Sequence, residues 1–238
     1  MIRLVLFDID GTLLDAGDLS RRSFLRVIRR FVAPEAALGR YSLSGKTDPQ
    51  IMKELLLQNG FPPKQTDRTV SEALKSYQSC YLSDLKQAHI RPLGGARELI
   101  ERLAAIRTAR LVLGILSGNL EGLIVPKLEA VSIPASSFVV GAFGSDTADR
   151  DRLPAIAVER AERSFGTHIL PHEVAIVGDT PLDIMCARRF GAVSIAVATG
   201  DYTYDELEAT SPTYVLGNLL AWSEVEHEIG LALSGEGQ

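Results

Sequence analysis

Two aspartates, Asp8 and Asp10, follow a short run of strand-forming residues near the start of the chain. Because side chains alternate along a strand, residues separated by one position point to the same side. Two carboxylates this close are costly to ionise together unless a cation or a shared proton relieves the repulsion. The pair therefore suits a nucleophilic carboxylate, a second carboxylate that transfers protons, and a divalent metal between them.

A second polar segment, Ser117-Gly118-Asn119, ends another apolar run. A hydroxyl, exposed backbone N–H groups and the start of the following helix can together bind an anion. A helix-capping turn is the alternative interpretation of the same residues. Taken alone, this segment leaves both interpretations open.

A third apolar run ends in Gly178-Asp179, and Asp183 follows four residues later. Asp179 can ligate a hard cation such as Mg²⁺, and Asp183 can orient that ion or its waters. The alternative for Asp183 is a favourable interaction with the dipole of the helix it begins. Ligands of open parallel sheets bind at the carboxyl ends of the strands, so we expect the three segments to converge there.

The elements that position these residues alternate between short apolar strands and amphipathic helices from about residue 90 onward. This alternation predicts an α/β fold with a Rossmann-like parallel sheet covered on both faces. The predicted strands after the first are Leu111–Leu116, Phe138–Val140, Val174–Val177, Val193–Val197 and Thr213–Leu216. The predicted helices of this part are Ala96–Arg107, Leu120–Val131, Pro154–Phe165, Leu182–Phe190 and Asn218–Ile229.

Residues 16–89 break the pattern and predict an all-helical insertion after the first strand. Its first helix carries a stripe at i, i+3, i+4 and i+7, made by Phe24, Val27, Ile28 and Phe31. Five arginines also crowd this helix, where a solvated outer face is favoured over steering of an anionic substrate: Arg21, Arg22, Arg26, Arg29 and Arg30. The predicted domains are a core (residues 1–15 and 90–238) and a smaller cap (residues 16–89).

The composition narrows the class of protein. The net charge of -5 argues against nucleic-acid binding, and no apolar run is long enough to span a membrane. The two cysteines, Cys80 and Cys186, provide no disulfide framework and favour a reducing compartment, so we expect a cytoplasmic protein. No feature of the sequence indicates an oligomeric state.

The chain resembles the haloacid dehalogenase superfamily, in the phosphatase branch with a helical cap inserted after the first strand. Three family motifs occur in the family's order, D-x-D-G-T, S/T-G-N and G-D-x-x-x-D. They are matched by Asp8, Asp10, Gly11 and Thr12, by Ser117, Gly118 and Asn119, and by Gly178, Asp179 and Asp183.

The resemblance implies roles for these residues. Asp8 attacks phosphorus to form an aspartyl phosphate, and Asp10 protonates the leaving oxygen and then activates water. Ser117, Gly118 and Asn119 hold the phosphoryl oxygens. Mg²⁺ is the implied cofactor, with Asp8, the Asp10 backbone carbonyl and Asp179 as ligands and Asp183 in support.

One departure from the family pattern concerns its usual lysine, whose place Asp151 occupies when the chain is aligned on Pro154. We predict that Arg150 supplies the missing cation, with Arg152 as the second choice, because guanidinium groups bind phosphate or carboxylate oxygens in a fork. In the alternative, both arginines pair with neighbouring aspartates at a surface helix cap.

Two cap residues, Lys46 and Thr47, precede a helix that Asp48-Pro49 begins. A cap that closes over the core would bring both residues to the substrate. The alternative is a solvated loop in which Thr47 or Asp48 caps the helix.

The leading functional hypothesis is a phosphatase acting on a small phosphorylated metabolite. Within the family, the chain most resembles the phosphoglycolate phosphatase-like members, which makes a small phosphorylated acid the first substrate to consider. Asp10 argues against a dehalogenase, which lacks this acid. A β-phosphoglucomutase-like phosphotransferase is the alternative, although the cap histidine of such mutases is missing around Gly17-Asp18. A catalytically weak phosphate-binding module is a further alternative.

Overall fold

The computed structural model describes residues 1–106, 111–228 and 230. Six parallel strands form the main sheet in the order β5-β4-β1-β6-β7-β8, and a separate two-stranded ribbon pairs β2 with β3. The strands are β1 (Leu4–Phe7), β2 (Leu14–Asp15), β3 (Arg91–Pro92), β4 (Val112–Ser117), β5 (Val140–Phe143), β6 (Val174–Gly178), β7 (Val193–Val197) and β8 (Tyr214–Leu216).

The helices fall into two groups along the chain. Those of residues 16–89, the segment predicted as the cap and referred to as the cap below, are α1 (Leu19–Phe31), α2 (Asp48–Gln58) and α3 (Pro63–Leu85). Those of the core are α4 (Ala96–Ala104), α5 (Ile124–Ala130), α6 (Leu153–Phe165), α7 (Pro181–Phe190), α8 (Tyr204–Glu208) and α9 (Ser223–Glu226). Short 3₁₀ turns lie at Glu121–Leu123, Ala135–Ser137, Arg150–Arg152, Pro171–Glu173 and Leu219–Trp222.

The predicted fold class, a Rossmann-like parallel sheet with helices, is confirmed. Strand β1 lies inside the sheet, and its four residues are fully buried. Phe7 at its end is in register with Ile115 of β4 and with Val177 of β6. The carboxyl ends of β4, β1 and β6 therefore lie side by side.

Several predicted boundaries differ from the structure. The strand predicted at Phe138–Val140 begins at Val140, because a 3₁₀ turn at Ala135–Ser137 occupies the chain just before it. The predicted last helix is divided between a 3₁₀ turn and α9. Arg107 and Ile229, the predicted ends of two helices, lie outside the described residues.

The predicted apolar stripe of α1 packs inside the cap, where the Phe24 ring stacks on Tyr77 with 4.0 Å between the ring centroids. The ribbon of β2 and β3 lies where the chain enters and leaves the cap, and Arg91 donates two hydrogen bonds to Asp15 there. The division into core and cap domains stays a prediction. Across the described part of the chain, no helix has both the length and the apolar character needed to cross a bilayer.

Candidate active site

The carboxylates predicted from the motifs lie together at the carboxyl ends of β1 and β6. The Asp8 backbone N–H donates to the Val177 carbonyl at 2.9 Å, which continues the pairing of the two strands past their ends. Asp8, Asp179 and Asp183 are buried, and each places a carboxylate oxygen within 4.8 Å of the others. Such a cluster of oxygen ligands fits a hard divalent cation.

The turn after β1 depends on Gly11, whose φ of +82° lies in the left-handed region that glycine adopts most easily. A Cβ at this position would lie 2.5 Å from Asp179 Cγ, so a side chain would collide with the carboxylate. The neighbouring Thr12 hydroxyl donates to Asp179 Oδ1 at 3.1 Å. Gly11 thus leaves room for the Asp179 carboxylate, and the Thr12 hydroxyl holds that carboxylate in place.

Burial and mutual repulsion raise the proton affinity of two carboxylates in this cluster, Asp8 and Asp179. Desolvation raises the pKa of Asp8 to about 7, with Asp183 and Asp10 adding to the rise and Arg150 opposing it. Burial, together with Asp183 and Asp8, holds the pKa of Asp179 well above its usual range. Because a cation in this position would relieve both penalties, the electrostatics fit a metal site.

Arg150 points into the site, as the prediction from the missing lysine requires. Its Nη2 atom pairs with Asp183 Oδ1 and lies 3.6 Å from Asp8 Oδ1. Asp151 instead pairs with Arg189 at the surface, and Arg152 is exposed. The geometry therefore brings Arg150, and not Arg152, to the carboxylates.

Asp183 has structural partners for both of its carboxylate oxygens. Its Oδ1 pairs with Arg150, and its Oδ2 accepts from the Thr180 hydroxyl at 2.7 Å and the Thr180 backbone N–H at 3.1 Å. Thr180 caps α7 in return by accepting from the Asp183 N–H. Asp183 thus lies in the first turn of α7, where the alternative interpretation places it next to the helix dipole, and also belongs to the acidic cluster.

The predicted anion-binding segment faces the same cavity. Ser117, Gly118 and Asn119 all line it, and the Ser117 hydroxyl oxygen accepts from the Asn119 N–H at 3.3 Å. A Cβ on Gly118 would lie 2.9 Å from Thr47 Cα, so this glycine also lets the cap approach the core. The segment therefore serves both the cavity and the contact between cap and core.

The cap residue Thr47 does not line the cavity among the described residues, in contrast to its predicted contact with substrate. Its hydroxyl donates to the Ala148 carbonyl at 2.8 Å and accepts from the Gln50 N–H, which makes Thr47 the N-cap of α2. Both hydrogen bonds use the hydroxyl and hold the start of α2 next to Ala148. Lys46 lines the cavity, and its ammonium pairs with Glu54 at 2.7 Å.

Asp48 joins the start of α2 to Ser117-Gly118-Asn119, the predicted anion-binding segment, and to the residue after it. Its backbone N–H donates to the Gly118 carbonyl at 2.7 Å, and its Oδ2 accepts from the Leu120 N–H at 2.8 Å. Burial raises the pKa of Asp48 to about 7, although Lys127 and the Leu120 N–H oppose the rise and Asp10 adds to it. These two hydrogen bonds hold the start of α2 against the segment that follows β4.

The sequence interpretation missed Lys127, which is fully buried in α5. Its Nζ donates to Asp10 Oδ2 at 2.5 Å and to Asn119 Oδ1 at 2.6 Å. A signal was present, since Lys127 occupies the i+3 position of a buried stripe with Ile124 and Leu128. A lysine on the inner face of a helix needs a buried partner, and the acidic motifs were candidates for it.

The cavity beneath the cap has a volume of about 590 Å³ and reaches from the acidic cluster to α1. Besides Arg150, the cations that line it are Arg21 and Lys46 from residues 16–89 and Arg91 from β3. Lys46 and Arg91 have carboxylate partners, whereas Arg21 donates to two backbone carbonyls, one of them Tyr41 at 2.9 Å. Within the described residues, Arg21 has no carboxylate partner.

Comparison with known proteins gives a family match and several relatives of similar length. The family model described as haloacid dehalogenase-like hydrolase matches residues 5–197. A phosphoglycolate phosphatase from Pseudomonas putida is 23% identical over 92% of this chain and 78% of its own length. The pyrophosphatase PpaX from Oceanobacillus iheyensis is 24% identical over 92% of this chain and 94% of its own length.

The fold recurs among solved structures. The crystal structure of a hydrolase from Pseudomonas syringae superposes with a TM-score of 0.72 at 20% identity. The match covers 95% of this chain and 99% of the other. At this identity, the likeness establishes a common fold.

Proposed function

The chain belongs to the haloacid dehalogenase-like hydrolase family, and we propose that it is a Mg²⁺-dependent phosphatase acting on small phosphate monoesters. The observation that carries the proposal is that Asp8, a member of the acidic cluster, shares one cavity with Asp10 and with Ser117-Gly118-Asn119, the predicted anion-binding segment. Phosphoryl transfer depends mainly on positioning and on neutralising charge, and this arrangement offers both.

Asp8 is the proposed nucleophile. Its carboxylate attacks phosphorus, and the bond from phosphorus to the ester oxygen breaks as the aspartyl phosphate forms. Asp10 donates a proton to the departing oxygen and later takes a proton from the water that attacks phosphorus, and the bond from phosphorus to Asp8 breaks as water adds. Inorganic phosphate then leaves, and both carboxylates return to their starting states.

The cations of the site support this assignment. Arg150 lies 3.6 Å from Asp8 Oδ1, within reach of the oxygens that carry charge during transfer. The Ser117 hydroxyl and the backbone of Gly118 and Asn119 are the proposed contacts of the phosphoryl oxygens. The three side chains Asp8, Asp179 and Asp183, with the Asp10 backbone carbonyl, are the proposed Mg²⁺ site, of which Asp183 is the supporting member. When bound, the metal supplies positive charge next to the transferring group.

A small phosphorylated acid is the proposed substrate class. Arg21 lines the part of the cavity formed by the cap, and its guanidinium donates to backbone carbonyls that carry no net charge. Its positive charge therefore stays available to a carboxylate or a second phosphate on the substrate. Lys46 is a further proposed contact from the cap, and the phosphoglycolate phosphatase name of a relative agrees with this class.

A cytoplasmic location is part of the proposal. The described thiols, Cys80 and Cys186, are both free, as is usual in a reducing compartment.

The test is release of inorganic phosphate from a panel of phosphate monoesters, with and without Mg²⁺. We expect Mg²⁺-dependent turnover that Asp8→Asn abolishes and that the exposed control Asp205→Asn leaves unchanged. Isomerisation of a sugar phosphate without phosphate release would instead indicate the phosphotransferase. Binding of phosphate without any turnover would indicate the weak binding module.

A further inference from the structure

Lys127 lies on the inner face of α5 with no exposed surface, where a charged side chain costs free energy to remove from water. Transferring an ammonium from water into a protein interior carries a large desolvation penalty. Burial opposes the charged form, but Asp10, Tyr81 and Asp48 outweigh it, so the pKa of Lys127 is raised and the ammonium stays charged.

The ammonium joins three parts of the site. Its Nζ donates to Asp10 Oδ2 at 2.5 Å and to Asn119 Oδ1 at 2.6 Å. On the cap side, Nζ lies 4.9 Å from the centre of the Tyr81 ring, within the range of a cation–π interaction. Lys127 is thus enclosed by the end of β1, the anion-binding segment and α3.

Stability alone is a weak reason for this arrangement. Replacing a buried ion pair with well-packed apolar side chains is often neutral or stabilising. Asp10 keeps 36% of its side chain exposed, so it would not need a buried partner merely to be solvated. A role of Lys127 in the function of Asp10 explains better why the ammonium is buried despite the desolvation penalty.

The Asp10 carboxylate depends on Lys127 for its orientation. In the described part of the chain, Lys127 is the hydrogen-bond donor that reaches this carboxylate, and Asp10 Oδ1 has no partner. We propose that Lys127 is a positioning residue that fixes the Asp10 carboxylate for both of its proton transfers. The inference rests on the proposed function, in which Asp10 is the acid and base.

This role predicts a dependence on the leaving group. An alkyl phosphate needs a proton on its departing oxygen, whereas p-nitrophenolate leaves without one. A loosened Asp10 should therefore slow transfer from the alkyl ester much more than transfer from p-nitrophenyl phosphate. A general loss of structure would slow both substrates by the same factor.

The experiment compares Lys127→Met with the control Lys75→Met on the exposed face of α3. Methionine keeps about the length of the lysine side chain but removes its charge. Rapid-quench measurements give the rate of phosphoenzyme formation from each substrate. We expect Lys127→Met to lower this rate about 10²-fold for the alkyl phosphate and less than about 3-fold for p-nitrophenyl phosphate. Lys75→Met should leave both rates unchanged.

A double-mutant cycle shows whether Lys127 acts through Asp10. In the Asp10→Asn background, Lys127→Met should change the alkyl phosphate rate by less than about 3-fold, because the group it positions is already gone. Equal losses on the two substrates, or effects that multiply in the double variant, would overturn the proposal.

Urea unfolding of the same four proteins provides a readout that does not need activity. We expect the unfolding free energies to show coupling between Lys127 and Asp10, and additive effects would overturn the proposed contact. If the methionine variant does not fold, Lys127→Gln takes its place in the cycle. A wild-type protein that releases no phosphate but shows the coupling would overturn the proposed function alone.

Discussion

Arg150 Nη2 lies 3.6 Å from Asp8 Oδ1 and pairs at the same time with Asp183 Oδ1, so one guanidinium joins the end of β1 to the start of α7. The family's usual lysine would lie one residue later, where Asp151 instead points to Arg189 at the surface. A planar guanidinium is longer than an ammonium and reaches two carboxylates at once. Arg150 thus places its positive charge beside both carboxylates.

Replacing Arg150 tests this assignment. We expect Arg150→Met to lower kcat about 10²-fold or more, since a buried cation near the transferring group is lost. Arg150→Lys should recover only part of the activity, because an ammonium cannot reproduce the fork. Steady-state assays with the exposed Arg152→Met as the matched control measure both effects, and equal activity of the two methionine variants would refute the role.

Binding of Mg²⁺ should release protons. The pKa of Asp8 is raised to about 7 in the metal-free protein, mainly by burial, so a proton competes with the metal below that pH. The apparent affinity should rise as the pH increases from 6 to 8 and level off above the pKa. Calorimetric titrations in two buffers of different ionisation enthalpy measure the proton release, and equal heats in both buffers would contradict it.

Asp48 should make stability depend on pH. Its pKa is raised from 3.8 to about 7 by folding, so the folded protein holds a proton that the unfolded chain has lost between these values. Its stabilising contribution is therefore complete below the lower value and disappears as the pH rises through the upper one.

The matched variant is Asp48→Asn, whose side-chain oxygen can still accept from the Leu120 N–H. We expect this variant to gain stability relative to the wild type as the pH rises from 5 to 8, because asparagine does not ionise. Urea unfolding at each pH measures the difference. A difference that stays constant over this range would show that Asp48 does not titrate as described.

Arg21 should select for an anionic group on the substrate. We expect Arg21→Gln to raise KM about 10-fold or more for a phosphorylated acid, since a charge-assisted hydrogen bond is lost. KM for p-nitrophenyl phosphate should stay the same, because that ester carries no second anion. Arg22→Gln, one position away on the exposed face of α1, is the control. Equal changes in KM for both substrates would exclude the selective role.

Much of the site could be predicted because its carboxylates follow strands directly. Asp8 and Asp179 each lie next to a buried apolar run, and parallel pairing of β1 with β6 brings such ends together. Arg150 lies one residue before the place of the family's lysine, but its side chain is long enough to reach the carboxylates from there. The inferences about the carboxylates needed only local pattern and the rule that parallel strand ends share an edge, whereas the inference about Arg150 also used the resemblance to the family.

The contacts made by cap closure could not be predicted in the same way. Thr47 uses its hydroxyl to cap α2 and to bind Ala148, and the residues it contacts depend on how the cap meets the core. Lys127 and Asp10 are 117 positions apart in the sequence, and neither residue type alone indicates the other. Only the apolar stripe around Lys127 signalled that its charge needs a buried partner.

The account depends most on Asp8 as the nucleophile, and an acid-quenched single turnover tests this directly. With p-nitrophenyl phosphate labelled in the phosphoryl group, whose leaving group needs no proton, and Asp10→Asn present to slow hydrolysis, we expect the label on the peptide that contains Asp8. Hydroxylamine should release it, as expected of an acyl phosphate, and Asp8→Asn should abolish labelling. Label on another residue, or phosphate release with no labelled peptide at any time, would contradict the account.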